Sequence, residues 1–295
     1  MRSHRSGLLR HRVEAAGRRL HSCCLCPRRC NVDRTGHQKT GVCKTREKAW
    51  VSSFHPHFGE EDPLVGIYGS GTIFFTHCNL LCNFCQNHDI SHQGLGQEVN
   101  DAQLASMMLS LQNQGCHNIN FVTPSHVVPM ILSAVKMACA QGLAVPLVYN
   151  SGGYDRVETL GLLDGVIDIY MPDFKFWDSG IAEVTCHAPD YPEVAKKAIR
   201  EMYCQVGDLV LDERGIAQRG ILIRHLVLPE EKAGTREIMR YVSREISTNT
   251  YVNIMSQYRP CGDVSGVKAL QRTVSRSEFM DALSAARAAG ITRLD

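Results

Sequence analysis

Three cysteines stand within eight residues of this 295-residue chain: Cys78, Cys82 and Cys85, separated by three and then by two residues. They follow an apolar run at residues 72–75. Three thiolates on one short loop can bind three irons of a cubane cluster and leave the fourth iron without a protein ligand. An open metal position is typical of a catalytic metal site. The alternatives are three unrelated thiols and a zinc knuckle, although structural zinc needs four ligands.

A second group of cysteines precedes the first. Cys23, Cys26 and Cys30, followed by Cys43, are four spaced thiols, and Cys24 lies beside them. Four cysteines can close a structural zinc site or bind a second iron–sulfur cluster, and redox-active free thiols are a third possibility. Neither standard spacing fits, since a zinc ribbon would show a second C-x-x-C. The pattern favours a metal site and leaves its metal open.

The use of cysteine also bears on the compartment. Eight of the 13 cysteines come before residue 86, in these two groups, and the other five are scattered and expected to be free. A secreted disulfide scaffold is shorter and spreads its cysteines, so clustered thiols favour a reducing, cytoplasmic location. The net charge of +2 argues for no acidic partner. No apolar stretch approaches the ~20 residues of a membrane-spanning helix.

Two regions are expected along the chain. Residues 1–68 form a basic lead and a cysteine-rich, metal-binding extension, and residues 69–295 form the core. The first 22 residues contain six arginines, one glutamate and no aspartate. Such a start could be a transit peptide, but the serine-rich composition of one is lacking, so a basic surface helix is favoured.

The core alternates short apolar runs, typical of parallel strands buried on both faces, with stretches of helical spacing. The candidate strands are residues 71–76, 118–123, 145–149, 166–170, 221–227 and 250–254. Repeated strand–helix units imply a parallel sheet with right-handed crossovers, and six units are too few for a complete eight-fold barrel. The prediction is an α/β fold, an open, partial (β/α)6 barrel. A flat doubly wound sheet is the structural alternative.

Polar residues follow several of these strands, at the end where active sites of such folds lie. They are Thr123, Ser125 and His126 after the second strand, Asn150 and Ser151 after the third, and Asp173 and Lys175 after the fourth. The fifth strand carries Arg224 and His225 within an apolar run. Alternation places these two side chains on opposite faces and does not tell which face is inward.

The spacing of the first cysteine group, with Phe84 before the last cysteine, resembles the signature of the radical S-adenosylmethionine (SAM) superfamily. Other segments resemble an uncharacterised branch related to the pyruvate formate-lyase activating enzyme, over about residues 20 to 265. They are the Cys-x-Leu-Cys-Pro-Arg-type start, the His-Phe-Gly-Glu-Glu segment at 57–61, residues 78–87 and 150–155, the Asp173-x-Lys175 element and residues 255–260.

The resemblance implies a [4Fe-4S] cluster on Cys78, Cys82 and Cys85, with SAM chelating the fourth iron. It implies reductive cleavage of SAM to a 5′-deoxyadenosyl radical that abstracts a hydrogen, chemistry which the cofactor carries. Phe84 would pack near the adenine. Further contacts with SAM are expected from Ser125, His126, Asn150, Ser151, Asp173, Lys175 and His225. One departure is that the Gly-Gly-Glu motif of many members is missing at residues 121–126.

The leading interpretation is therefore a radical SAM oxidoreductase. By resemblance, its substrate would be a glycyl radical enzyme and its electron donor a flavodoxin or ferredoxin. Alternatives are radical SAM modification of a small molecule, peptide or RNA, and a non-enzymatic iron–sulfur or zinc redox module. RNA binding has little support, because no basic stripe with interleaved aromatic residues occurs beyond the first 22 residues.

Overall fold

The protein is described by a computed structural model that covers residues 5–36 and 40–295. Residues 1–4 of the basic lead lie outside the described residues, as do residues 37–39 of the cysteine-rich region. Within the described residues, nine strands are found: β1 Ala49–His57, β2 Ser70–Phe75, β3 Gln97–Val99, β4 Ile119–Val122, β5 Leu147–Ser151, β6 Ile169–Pro172, β7 Val210–Leu211, β8 Ala217–Leu226 and β9 Tyr251–Met255.

Helices surround these strands. In the described ranges they are α1 Arg5–Arg18, α2 Asp62–Val65, α3 His88–Ser91, α4 Asp101–Asn113, α5 Val128–Ala140, α6 Val157–Leu160, α7 Ser179–Cys186, α8 Tyr191–Val206, α9 Thr235–Tyr241 and α10 Arg276–Ala288. Short 3₁₀ turns occupy Pro229–Glu231 and Lys268–Gln271, and a π-helical turn at Val242–Ile246 extends α9. No helix in the part of the chain that the structure describes is long and apolar enough to cross a membrane.

The strands form one sheet with a parallel centre. Six strands run parallel in the order β2-β4-β5-β6-β8-β9, and these are the six predicted strands. Antiparallel strands extend the sheet: β1 pairs with β2, β3 pairs with β1, and β7 pairs with β8. The described strands do not close into a ring. The prediction of an α/β fold with an open, partial barrel is confirmed.

Burial explains the apolar runs of the sequence. All residues of β5 and β6 are buried, and β2 has one half-buried position. Helices α4 and α5 close the outer face and bury apolar stripes at helical spacing, which include Leu104, Leu111, Ile131 and Val135. Because strands covered on both faces need apolar side chains on both, these strands read as continuous runs rather than alternating ones.

The region before residue 69 is joined to the sheet of the core. Strand β1 pairs antiparallel with β2, from Val51 opposite Phe75 to His57 opposite Ser70. Helix α1 packs against α5 and buries Leu9. The proposed boundary at residue 69 therefore falls between two paired strands of one sheet, and the division into an extension and a core stays a prediction.

Candidate active site

The three cysteines of the first motif lie on the loop between β2 and α3, at the carboxyl end of the parallel strands. Leu81, between two of them, adopts a left-handed backbone conformation with φ of 57°. Cys78, Cys82 and Cys85 all line one pocket, together with polar residues from the ends of the neighbouring parallel strands.

Polar hydrogens point at two of these sulfurs. The Leu80 N–H donates to Cys78 Sγ at 3.3 Å, and the Ser91 hydroxyl donates to Cys85 Sγ at 3.2 Å. Burial raises the pKa of Cys78 to about 12 and raises the pKa of Cys85 above its ordinary value. The thiols thus stay protonated until a metal displaces their protons. Three sulfurs on one pocket wall, two of them with hydrogen-bond donors beside them, fit a cluster that keeps one iron open.

A buried charged network shares this pocket. Lys175 Nζ lies 2.5 Å from Asp173 Oδ2, and Arg224 Nε donates to Asp173 Oδ1 at 2.9 Å. Burial acts to raise the pKa of Asp173, but Arg224 and Lys175 outweigh it, and the pKa lies below its ordinary value. Asp173 is therefore ionised at neutral pH and holds two cations at the pocket wall.

The end of β5 supplies further polar groups to the pocket. Asn150 Oδ1 accepts from Arg224 Nη2 at 2.7 Å, which links β5 to the charged network. Ser151 Oγ donates to the buried Asp155 at 2.7 Å. The hydroxyl proton of Ser151 is therefore engaged with Asp155, while the hydroxyl oxygen can still accept hydrogen bonds. Thr123, after β4, also lines the pocket and has a left-handed φ of 61°.

Two residues predicted to contact SAM are packed into the core instead of the described pocket wall. The Phe84 ring meets Phe176 and Tyr258 edge to face, with ring centroids 5.9 and 5.8 Å apart. Ser125 is 3% exposed, and its hydroxyl forms a hydrogen bond with the buried Asp155. Phe84 thus has the core-packing surroundings that aromatic side chains commonly have.

The two predicted histidines also lie away from this pocket wall. His225 is fully buried, with Nδ1 2.7 Å from the Phe174 carbonyl and Nε2 2.8 Å from Thr235 Oγ1. Both of its ring nitrogens are therefore engaged within the protein. Of the pair in β8, Arg224 faces the pocket and His225 faces the opposite side. His126 lines a different cavity, which the second cysteine group forms.

Two groups near the site were not identified from the sequence. Glu60 Oε2 lies 3.8 Å from Arg224 Nη1 and adds a second carboxylate to the charged network. The sulfur of Cys186 lies 3.2 Å from that of Cys82. Glu60 belongs to the His-Phe-Gly-Glu-Glu segment, which was a signal for it, whereas Cys186 stands alone in its part of the sequence.

The second cysteine group also comes together. Cys23, Cys26, Cys30 and Cys43 line one cavity. Among residues 5–36 and 40–295, no three His, Cys, Asp or Glu side chains stand in the arrangement of a single-ion site.

Sequence similarity to one known protein shows the family to which the chain belongs. The uncharacterized protein MJ0674 of Methanocaldococcus jannaschii is 32% identical over 287 residues, which cover 95% of this chain and 78% of that protein. The chain belongs to the family of MJ0674. No protein-family model matches the chain.

Solved structures agree with the architecture. A radical SAM methyltransferase from Sphaerobacter thermophilus superposes with a TM-score of 0.54 at 13% identity, covering 76% of this chain. HydG, a maturase of the [FeFe]-hydrogenase, superposes with a TM-score of 0.50 at 13% identity, covering 72% of this chain. The chain spans 65% and 48% of the lengths of these two proteins. The similarity shows that this member of the MJ0674 family has the partial-barrel fold of radical SAM enzymes.

Proposed function

We propose that the chain is a radical SAM enzyme, which uses a [4Fe-4S] cluster and SAM to abstract a hydrogen atom from a substrate. The observation that carries the proposal is the position of three thiols and a buried charged network on the wall of one pocket. This pocket lies at the carboxyl ends of the parallel strands, where such folds place their active sites. When bound, the reduced cluster supplies the electron that cleaves the C–S bond of SAM.

The residues of the chain would bind and orient both groups. Cys78, Cys82 and Cys85 would hold three irons. Lys175 and Arg224 offer N–H donors to the carboxylate of SAM, and Asp173 keeps both cations at the pocket wall. Asn150 and Ser151 would meet the polar groups of the ribose or of the methionine moiety. Apolar side chains on the same wall would exclude water from the reacting atoms; they are Phe75, Ile90 and Val122.

The more specific function that we favour is activation of a glycyl radical protein. Support comes from Asp173 and Lys175, which form a buried ion pair. These two residues make up the Asp-x-Lys element that resembles the one in the activating enzymes. The electron would come from a flavodoxin or ferredoxin in a reducing, cytoplasmic compartment. The N-terminal cysteines would bind an additional cofactor, an iron–sulfur cluster or zinc.

The general reaction is tested with anaerobically reconstituted protein that is reduced with dithionite and given SAM. We expect 5′-deoxyadenosine by chromatography from the wild type and from Cys204→Ala, a change at an exposed cysteine of α8. We expect none from Cys82→Ala. An intact cluster whose spectrum SAM leaves unchanged, together with no product, would reject the enzyme and favour a metal-binding redox module.

The substrate is tested separately with a peptide of the glycyl loop of pyruvate formate-lyase, deuterated at the glycine α-carbon. Transfer to this site predicts deuterated 5′-deoxyadenosine by mass spectrometry and a glycyl radical signal by electron paramagnetic resonance. Product that stays undeuterated, with no peptide radical, would reject this loop as the hydrogen donor and leave the general reaction standing.

A further inference from the structure

The cavity of the N-terminal cysteines is shaped by the backbone around them. The Cys23 N–H donates to the Val32 carbonyl at 2.9 Å and folds the cysteine segment back on itself. The Val42 N–H points at Cys30 Sγ from 3.4 Å. A Cβ atom at Gly41 would lie 2.9 Å from the same sulfur, so glycine leaves the space that Cys30 occupies. The segment that ends in Cys43 is thus fitted to the sulfur of Cys30.

Arg34 brings a positive charge to this cavity. It is only 3% exposed, and its Nη1 lies 3.9 Å from Cys23 Sγ. Its other contacts are carbonyl oxygens, those of Arg46 at 2.6 Å and of His126 at 2.7 Å. Carbonyl groups orient a guanidinium but carry no full negative charge, and a buried cation needs a negative partner. Thiolates that bind a metal centre would supply that charge.

His126 adds a nitrogen donor to the same cavity. The residue is 1% exposed, and its Nε2 lies 3.0 Å from the Thr76 carbonyl. A carbonyl only accepts, so Nε2 carries the proton and Nδ1 keeps its lone pair. Nδ1 is buried and has no hydrogen-bond partner in the described part of the chain. A histidine that donates one N–H to a backbone carbonyl and leaves the other nitrogen free has the arrangement of a metal ligand.

We propose that Cys23, Cys26, Cys30 and Cys43 hold a second iron–sulfur cluster, with His126 as a donor beside it and Arg34 as its buried counter-charge. Structural zinc takes four ligands around one ion. This cavity presents four thiols and an imidazole, one donor more than a single zinc ion takes, and no three of these groups stand in the arrangement of a single-ion site. The donor set therefore favours a polynuclear group. The cluster does not depend on the SAM pocket, so the inference goes beyond the proposed reaction.

The test uses the full chain with Cys78, Cys82 and Cys85 all changed to alanine, reconstituted anaerobically with ferrous iron and sulfide. We expect about four irons and four sulfides per chain, as in a [4Fe-4S] cluster, and a paramagnetic signal after reduction. Adding Cys30→Ala should remove both. Adding Cys24→Ala should leave both unchanged, because Cys24 meets Arg156 through its carbonyl and does not line the cavity.

Zinc without sulfide in the triple variant would overturn the proposal, and so would a folded triple variant that binds no metal. If circular dichroism shows that the triple variant is unfolded, the iron content of the wild-type protein is measured instead. About eight irons per chain support a second cluster, and about four reject it. His126→Ala should retain the iron but change the paramagnetic signal, and an identical signal would remove His126 from the site. Wild-type protein with eight irons, a cluster spectrum that SAM leaves unchanged and no 5′-deoxyadenosine would reject the proposed reaction and leave the second cluster standing.

Discussion

The sulfur of Cys186 lies 3.2 Å from the sulfur of Cys82, although 104 positions separate the two residues. Cys186 is fully buried at the end of α7. The Asn83 N–H donates to the Thr185 carbonyl at 2.8 Å and ties the end of that helix to the cysteine loop. Since a metal-bound Cys82 is a thiolate and can only accept, the Cys186 S–H would donate to it. Helix α7 therefore positions a hydrogen-bond donor at a proposed cluster ligand.

Cys186→Ala should lower the reduction potential of the cluster, because hydrogen bonds to the ligand sulfurs stabilise the more negative, reduced state. A hydrogen bond worth about 1 kcal/mol corresponds to about 40 mV for one electron. Redox titration followed by electron paramagnetic resonance measures the change. Cys186→Ser, which retains a donor, should stay closer to the wild type, and Cys139→Ala is a control on α5. An unchanged potential in Cys186→Ala would show that the contact does not tune the cluster.

Asp173→Asn should lower the free energy of unfolding by about 3 kcal/mol, since it removes one partner of buried Lys175 and Arg224 charges. The same change should weaken SAM binding by at least about tenfold, a loss of about 1.4 kcal/mol, as the two cations lose their anchor. Urea unfolding and calorimetric SAM titration measure the two effects. Glu213→Gln, at an exposed position, is the matched control. Wild-type stability in Asp173→Asn would argue against a role for the ion pairs in holding the pocket.

Arg28 joins the two cysteine sites. Its guanidinium donates to the carbonyls of Asn79 and Leu80 in the active-site loop, at 2.9 and 3.0 Å. It also donates to the carbonyls of Cys186, at 2.7 Å, and His187 at the end of α7. One side chain from the N-terminal segment thus contacts both elements that surround Cys82.

Arg28→Lys should loosen this loop, because a single ammonium group cannot reach four carbonyls in the planar geometry of a guanidinium. We expect a loss of about 2 kcal/mol in unfolding free energy, as charged hydrogen bonds contribute about 1.5–3 kcal/mol each and lysine retains some of them. Hydrogen exchange at residues 78–85 should become faster. Arg29→Lys, the same change at the exposed neighbouring residue, is the matched control. Equal exchange in the two variants would show that the contacts do not restrain the loop.

His225 should make stability depend on pH. Burial lowers the pKa of His225 from 6.5 to about 4. Between pH 6.5 and pH 4 the imidazole is therefore protonated in the unfolded chain but neutral in the folded chain. Stability should therefore be complete above pH 6.5 and fall as the pH drops towards 4, by up to about 3 kcal/mol from this group. In His225→Asn, which cannot be protonated in this range, urea unfolding should show a shallower fall. The same slope in both proteins would assign the pH dependence to other groups.

Local patterns were sufficient for the architecture. Strands such as β5 and β6 are buried on both faces. Because both faces need apolar side chains, each of these strands appears in the sequence as a nearly continuous apolar run. The loop of Cys78 to Cys85 follows its strand directly, so the carboxyl-end position was implied by chain order. Asn150, Asp173 and Lys175 line the pocket for the same reason, because each lies at or just after the carboxyl end of a parallel strand.

The partners of these residues were decided by packing. Alternation showed that Arg224 and His225 point to opposite faces, but a strand buried on both sides does not reveal which face is the pocket. The contact of Cys186 with Cys82 joins segments far apart in the chain and leaves no local pattern. His126 follows β4 as the site residues do, yet its ring turns to the N-terminal cysteines. Sequence spacing orders residues along an element, whereas the direction and neighbours of a side chain arise only when the elements pack together.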